Sequence, residues 1–128
     1  MKIKSGVINN GLQSIMDLSE KTMPISLAAK LLRLADDLSK ENTYIEKQRM
    51  MIIEKYGDKD ENGQLKIENG QVTFSNDNVN KAQQELNELS ELEVEIPDRN
   101  ITEDELMNSG LELTLSQFAA LKEFIQEK

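Results

Sequence analysis

The chain carries neither histidine nor cysteine, so any chemistry falls to carboxylates, amines, hydroxyls and two tyrosines. The commonest general base, thiol catalysis, thiolate metal sites and disulfides are thereby removed. Two groupings of the remaining side chains stand out. The first is Asp58-Lys59-Asp60-Glu61-Asn62-Gly63, which reproduces the opening half of a calcium loop. Asp58, Asp60 and Asn62 supply oxygens at its first, third and fifth positions, and glycine stands at the sixth. Its second half departs from the pattern: the twelfth position is Asn69, and Glu68 lies one residue early. Asp, Asn and Gly are also what a tight polar connection needs, so the expectation is a turn rather than a metal centre.

The second grouping is electrostatic. Glu85, Glu88, Glu91, Glu93, Glu95, Asp98, Glu103, Asp104 and Glu105 stand against the single base Arg99, a local charge of -8 within a chain of net charge -9. The rest of the chain, 15 acids and 14 bases, sums to -1. In Leu92-Glu93-Val94-Glu95-Ile96 the alternation of a strand puts Leu92, Val94 and Ile96 on one face and the glutamates on the other. Such a stripe is suited to a basic groove on a partner, with attraction that speeds encounter and weakens with salt. It is equally suited to an edge strand that uses charge against aggregation. The same excess of negative charge disfavours direct binding to nucleic acid.

Enzyme signatures are missing: there is no GxxxxGK[ST] loop, no GxGxxG after a strand and no GxSxG elbow. No cofactor is expected, and the reading is of a protein that is not an enzyme.

These residues need elements to hold them. Met1 to Lys4 suits a short strand, and Ser5 is placed to cap a helix carrying Val7, Ile8, Leu12, Ile15 and Leu18, weakened by Gly11. From Pro24 to Tyr56 an apolar stripe of Leu27, Leu31, Leu34, Leu38, Ile45, Ile52 and Tyr56 marks one long helix or two collinear ones. A 33-residue rod is about 50 Å long, whereas a compact chain of this size is roughly 36 Å across. Either Ser39 to Thr43 breaks the rod, or its overhanging half meets another chain through Ile45 and Ile52.

Asn69-Gly70, between Gln64–Glu68 and Gln71–Phe74, is a two-residue hairpin turn. Asn76 or Asp77 then caps a helix with Val79, Ala82, Leu86 and Leu89 on one face, and Pro97 stops the strand that follows. Thr102 with Glu105, and Thr114 with Gln117, have capping-box spacing. A short helix, an extended Leu111 to Leu113 and a last helix carrying Phe118, Leu121, Phe124 and Ile125 complete the order. No repeat of fixed period is apparent.

With 128 residues, 38% hydrophobic and 4% aromatic, the core must be thin and aliphatic. The expected fold is α+β and predominantly helical: a long helix or helical hairpin packed with a small antiparallel sheet. It forms one domain over 1–128, with 1–57 helical and 58–128 holding the hairpin and the acidic part. No apolar run is long enough for a membrane span or a signal peptide, so the chain reads as cytosolic.

Five blocks carry a resemblance: MKIKSG, MPISLAAKLLRLADDL, IEKYGDKDENGQLKI, LEVEIP and LELTLSQFAALKEFI. In this order they resemble a family of small, uncharacterised proteins encoded by phages and prophages of Gram-positive bacteria. The resemblance implies a phage setting and action by binding, and carries no catalytic residues. The expected function is protein-protein contact that inhibits or modulates a host or defence protein, such as a nucleic-acid-processing enzyme, through the acidic segment. The alternative is a virion or tail assembly component self-associating through its long helix.

Overall fold

The computed structural model of the chain describes residues 1–126. The alternating Lys2-Ile3-Lys4 forms β1 (Lys2–Lys4), with Ile3 buried and both lysines exposed. Ser5–Val7 makes a 3-10 turn into α1 (Ile8–Met16). Then come α2 (Ile25–Tyr56), β2 (Ile67–Glu68), β3 (Gln71–Val72), α3 (Asn78–Glu91), β4 (Glu93–Glu95), α4 (Glu103–Met107) and α5 (Leu115–Lys122). The architecture is α+β and predominantly helical, with two separate two-stranded antiparallel sheets, β1 on β4 and β2 on β3.

One hydrophobic cluster joins both ends of the chain. It draws Ile3 from β1, Ile8 and Ile15 from α1, Leu27, Leu31, Leu34 and Leu38 from α2, and Ile96, Ile101, Leu106, Leu121 and Phe124 from the last third. Gly11, which weakens α1 by propensity, has a packing reason: it is buried against the ring of Phe124, where a Cβ would meet Cε2 and lie 2.8 Å from Cζ. Phe124 itself lies beyond α5, and the chain turns there so that Gln126 bonds Ile101 O through its backbone N–H.

Several local expectations change. Ser5 does not cap α1; it is buried, and its hydroxyl donates to Leu92 O at 3.0 Å beside the backbone bond Ser5 N to Leu92 O at 2.7 Å. Leu92 closes α3 and is 59% exposed, so the apolar face of the strand is Val94 and Ile96 alone. Val79 is 50% exposed, which leaves Ala82, Leu86 and Leu89 as the packed side of α3. Neither Asn76 nor Asp77 caps that helix with its side chain; Asp77 holds the position, and Asn76 turns the chain with φ of 56°. Thr114 makes the full capping box with Gln117. Thr102 accepts from Glu105 N, while the Glu105 carboxylate leaves to meet Lys30. Leu111 to Leu113 belongs to no helix or strand, and its two leucines are half-buried.

α2 is one unbroken helix of 32 residues, about 48 Å long. Thr43 Oγ1 donates to Ser39 O four residues back at 3.0 Å, so the polar stretch satisfies itself without interrupting the helix. Beyond Leu38 no residue of α2 is fully buried. The overhang is lined by α3, which packs along it. Ile45 and Ile52, the expected contact with another chain, are half-buried, and Ile45 packs on the core.

At the far end of this arm the segment from Glu61 to Phe74 is a repeat after all: two consecutive seven-residue copies of Glu-Asn-Gly-Gln followed by apolar, polar, apolar. Each copy makes a turn and an extended run. Asn69 and Gly70, with φ of 54° and 79°, close the hairpin as its turn chemistry requires. Leu65 and Val72, equivalent in the two copies, close on Gly57 at the end of α2.

Candidate functional site

The acidic segment is spread over α3, β4, the loop that follows and α4, and among the described residues four of its nine acids pair with cations of the same chain. In the pairing of β1 with β4, Lys2 stands opposite Glu95 and Lys4 opposite Glu93, with Ile3 opposite Val94 between them. Lys-Ile-Lys against Glu-Val-Glu is thus a complementary ladder on both faces. Lys4 Nζ also reaches Glu91 at 2.8 Å, and the ammonium of Met1 lies 3.8 Å from Glu95. Glu91, then Glu93, raises Lys4 above the ordinary lysine value.

The other acids follow the same logic. Glu105, at the first turn of α4, accepts from Lys30 of α2 at 2.8 Å, and the same ammonium donates to Asn100 O at 3.0 Å. Asp98 takes Asn100 N–H at 2.8 Å and Gln126 Nε2 at 2.6 Å, and these two hydrogen bonds hold it below the ordinary aspartate value. Glu85 lies 3.4 Å from Lys55 and is lowered by Tyr56 and Lys55, while Lys55 is raised by Tyr56 and Glu85 and sits 4.9 Å above the Tyr56 ring. Glu88 accepts from Gln84, one turn back. Arg99, the one base in the segment, forks onto Asp37 of α2 through Nε and Nη2 at 2.8 and 2.9 Å, which raises it above its ordinary value. Among the described residues, Glu88, Glu93, Asp98, Glu103 and Asp104 have no cation within ion-pair distance. Glu85, Glu91, Glu95 and Glu105 thus link α3, β4 and α4 to β1 and α2.

The loop at Asp58 to Gly63 is likewise committed. Asp58 Oδ2 accepts from Thr73 Oγ1 at 3.0 Å, and Asp60 Oδ1 accepts the backbone N–H groups of Asn62 and Gln64 at 2.8 and 3.0 Å. The two carboxylates face different donors, and among the described residues no three Asp or Glu side chains converge as metal ligands. These bonds build the turn into the first copy of the repeat.

The outward side of the arm is also available to a partner. Tyr44 and Met51 are 59% and 63% exposed and seven residues apart, so they share one side of α2, with Lys47 between them and Met50 alongside. At about 100° per residue Tyr44 and Met51 lie roughly 80 to 140° around the helix from Leu38, Ile45 and Ile52. The pattern 44, 47, 51 was readable in the sequence; the stronger leucine stripe of the same helix masks it.

Comparison of the chain with family models, curated proteins and solved structures gives no match. No helix among the described residues is long and apolar enough to cross a membrane.

Proposed function

We propose that this chain is a non-enzymatic contact protein of a Gram-positive phage or prophage, working in the bacterial cytoplasm, and that it engages another protein through the outward side of the α2–α3 arm. One observation carries the reading: more than half of a 32-residue helix lies beyond its last fully buried residue and presents Tyr44, Met50 and Met51 to solvent around Lys47. Tyrosine offers large, stiff contact area, and methionine adapts to the shape of a partner. Inhibition of a host or defence protein and a place in virion assembly both fit a projecting arm.

A second reading keeps the acidic surface as the docking site for a basic partner. It rests on Glu88, Glu93, Glu103 and Asp104, the acids without an ion pair or a tight hydrogen-bond network. Affinity capture from host lysate with three baits separates the two. Loss of the captured protein with Tyr44→Glu/Met51→Glu, and its retention with Glu103→Gln/Asp104→Asn, is the expected result. The opposite pattern overturns the arm in favour of the acids.

A further inference from the structure

The first half of α2 is apolar on two sides. Leu27, Leu31, Leu34 and Leu38 fill the core, yet Ile25 and Leu32 are 88% and 65% exposed. Seven residues apart, they lie within about 20° of each other around the helix, roughly opposite Leu27 and Leu34. Between them stand Ala28 and Ala29. Met16, 54% exposed at the end of α1, and the half-buried Met23 flank this stripe, and with Ala28, Leu32 and Ala35 they enclose an apolar groove of about 540 Å³. A helix at the surface of a globular protein needs one apolar face; a second one marks a surface that something covers.

The order of residues says what fits. Ile25, Ala28, Ala29 and Leu32 read large, small, small, large, which is its own complement when reversed. In an antiparallel pair crossing between Ala28 and Ala29, Ile25 of one copy meets Leu32 of the other, and the two alanines let the helix backbones approach closely. A two-fold axis makes the same patch serve both sides. Charge permits it. Asp17, Glu20 and Asp36 are offset in part by Lys21 and Arg33, while Lys30 and Asp37 are paired with Glu105 and Arg99. The surroundings of the stripe therefore sum to only -1 on a chain of -9.

We propose that a second copy of this chain packs antiparallel on the first half of α2, across Ala28 and Ala29, with Ile25 against Leu32 and Met16 beside the groove. Ile25, Leu32, Met16 and their half-buried neighbours leave on the order of 400 to 500 Å² uncovered on each copy, so the pair buries about 800 to 1,000 Å², below the range of stable interfaces and within that of weak, transient ones. Association is accordingly weak and concentration-dependent. It does not depend on what the arm binds.

The chain contains no cysteine, so a single introduced thiol reports on this contact alone. With Ala29→Cys, a short bis-maleimide is expected to give a cross-linked dimer whose yield rises with concentration and falls when excess wild-type protein is added. Tyr44→Cys on the arm is expected to give at least about tenfold less. Sedimentation of wild-type protein from 5 to 500 µM should show a monomer-dimer equilibrium. Leu32→Glu, at an exposed position, should raise its dissociation constant at least about 30-fold with the circular dichroism unchanged. A wild-type monomer throughout that range overturns the proposal. So does cross-linking as efficient at residue 44 as at 29, or a dimer indifferent to Leu32→Glu; should that variant misfold, the cross-linking comparison decides.

Discussion

Gly11→Ala sets two opposed effects against each other at one position. In an exposed helix interior, alanine in place of glycine stabilises by about 1 kcal/mol, because glycine loses more backbone entropy and adds nothing to packing. At Gly11 the added methyl runs into the ring of Phe124, lying 2.8 Å from Cζ and 3.1 Å from Cδ2. Phe124 is 2% exposed and belongs to the central cluster, so its ring has no vacant side to move into. Overpacking of this kind costs roughly 1 to 3 kcal/mol, and contact this close belongs to the upper part of that range. The expected net loss is about 1 to 2 kcal/mol. For a chain of this length that corresponds to a melting temperature lower by roughly 3 to 10 °C. Thermal and urea unfolding of Gly11→Ala, Phe124→Leu and the double variant form the assay. Phe124→Leu alone destabilises by removing buried volume, but in its presence Gly11→Ala should become neutral or stabilising, a coupling of at least about 1 kcal/mol. A Gly11→Ala protein that melts higher than wild type, or a double variant whose losses simply add, refutes the packing explanation and leaves only the propensity of α1.

The charge ladder between β1 and β4 predicts that Lys2→Glu/Lys4→Glu lowers the hydrogen-exchange protection of Ile3 and Val94, and that adding Glu93→Lys/Glu95→Lys restores it; protection unchanged in the first variant removes the ladder as a register device. Thr114→Ala, which deletes half of a capping box, should destabilise the chain by about 1 kcal/mol in urea titration. The folded-state pKa values of Glu85 and Asp98 are depressed from 4.5 and 3.8, so their stabilisation is complete above those values and is lost as pH falls through the lowered ones. Lys4 and Lys55 are raised above 10.5, so theirs is complete below that value and is lost as pH rises through the raised ones. Carboxyl chemical shifts against pH should therefore show Glu85 titrating below a free glutamate, and Lys55→Gln should move it upward.

The β1 strand, the long helix, the hairpin at Asn69-Gly70 and the box at Thr114 follow from short-range rules, because spacing and turn chemistry act within a few residues. The seven-residue repeat was equally local and stands in the sequence as Glu-Asn-Gly-Gln written twice; what the structure adds is the shared closure of Leu65 and Val72 on Gly57. The acidic segment was visible as composition, but what its carboxylates do was not. Their partners are Lys4, Lys30 and Lys55, residues 87, 75 and 30 positions away along the chain in their respective pairs.

Sequence alone thus determined most of the helices and strands, and that the net charge is gathered in one stretch of them. Tertiary structure decided that four of that stretch's nine carboxylates pair with cations of the same molecule, that Gly11 makes room for an aromatic ring, and that α2 has an uncovered apolar side at each end. The physical reason is range. Backbone propensity, capping and periodicity are settled by neighbours a turn or two apart, whereas a carboxylate is free or paired, and an apolar face is covered or bare, according to what folding brings from elsewhere.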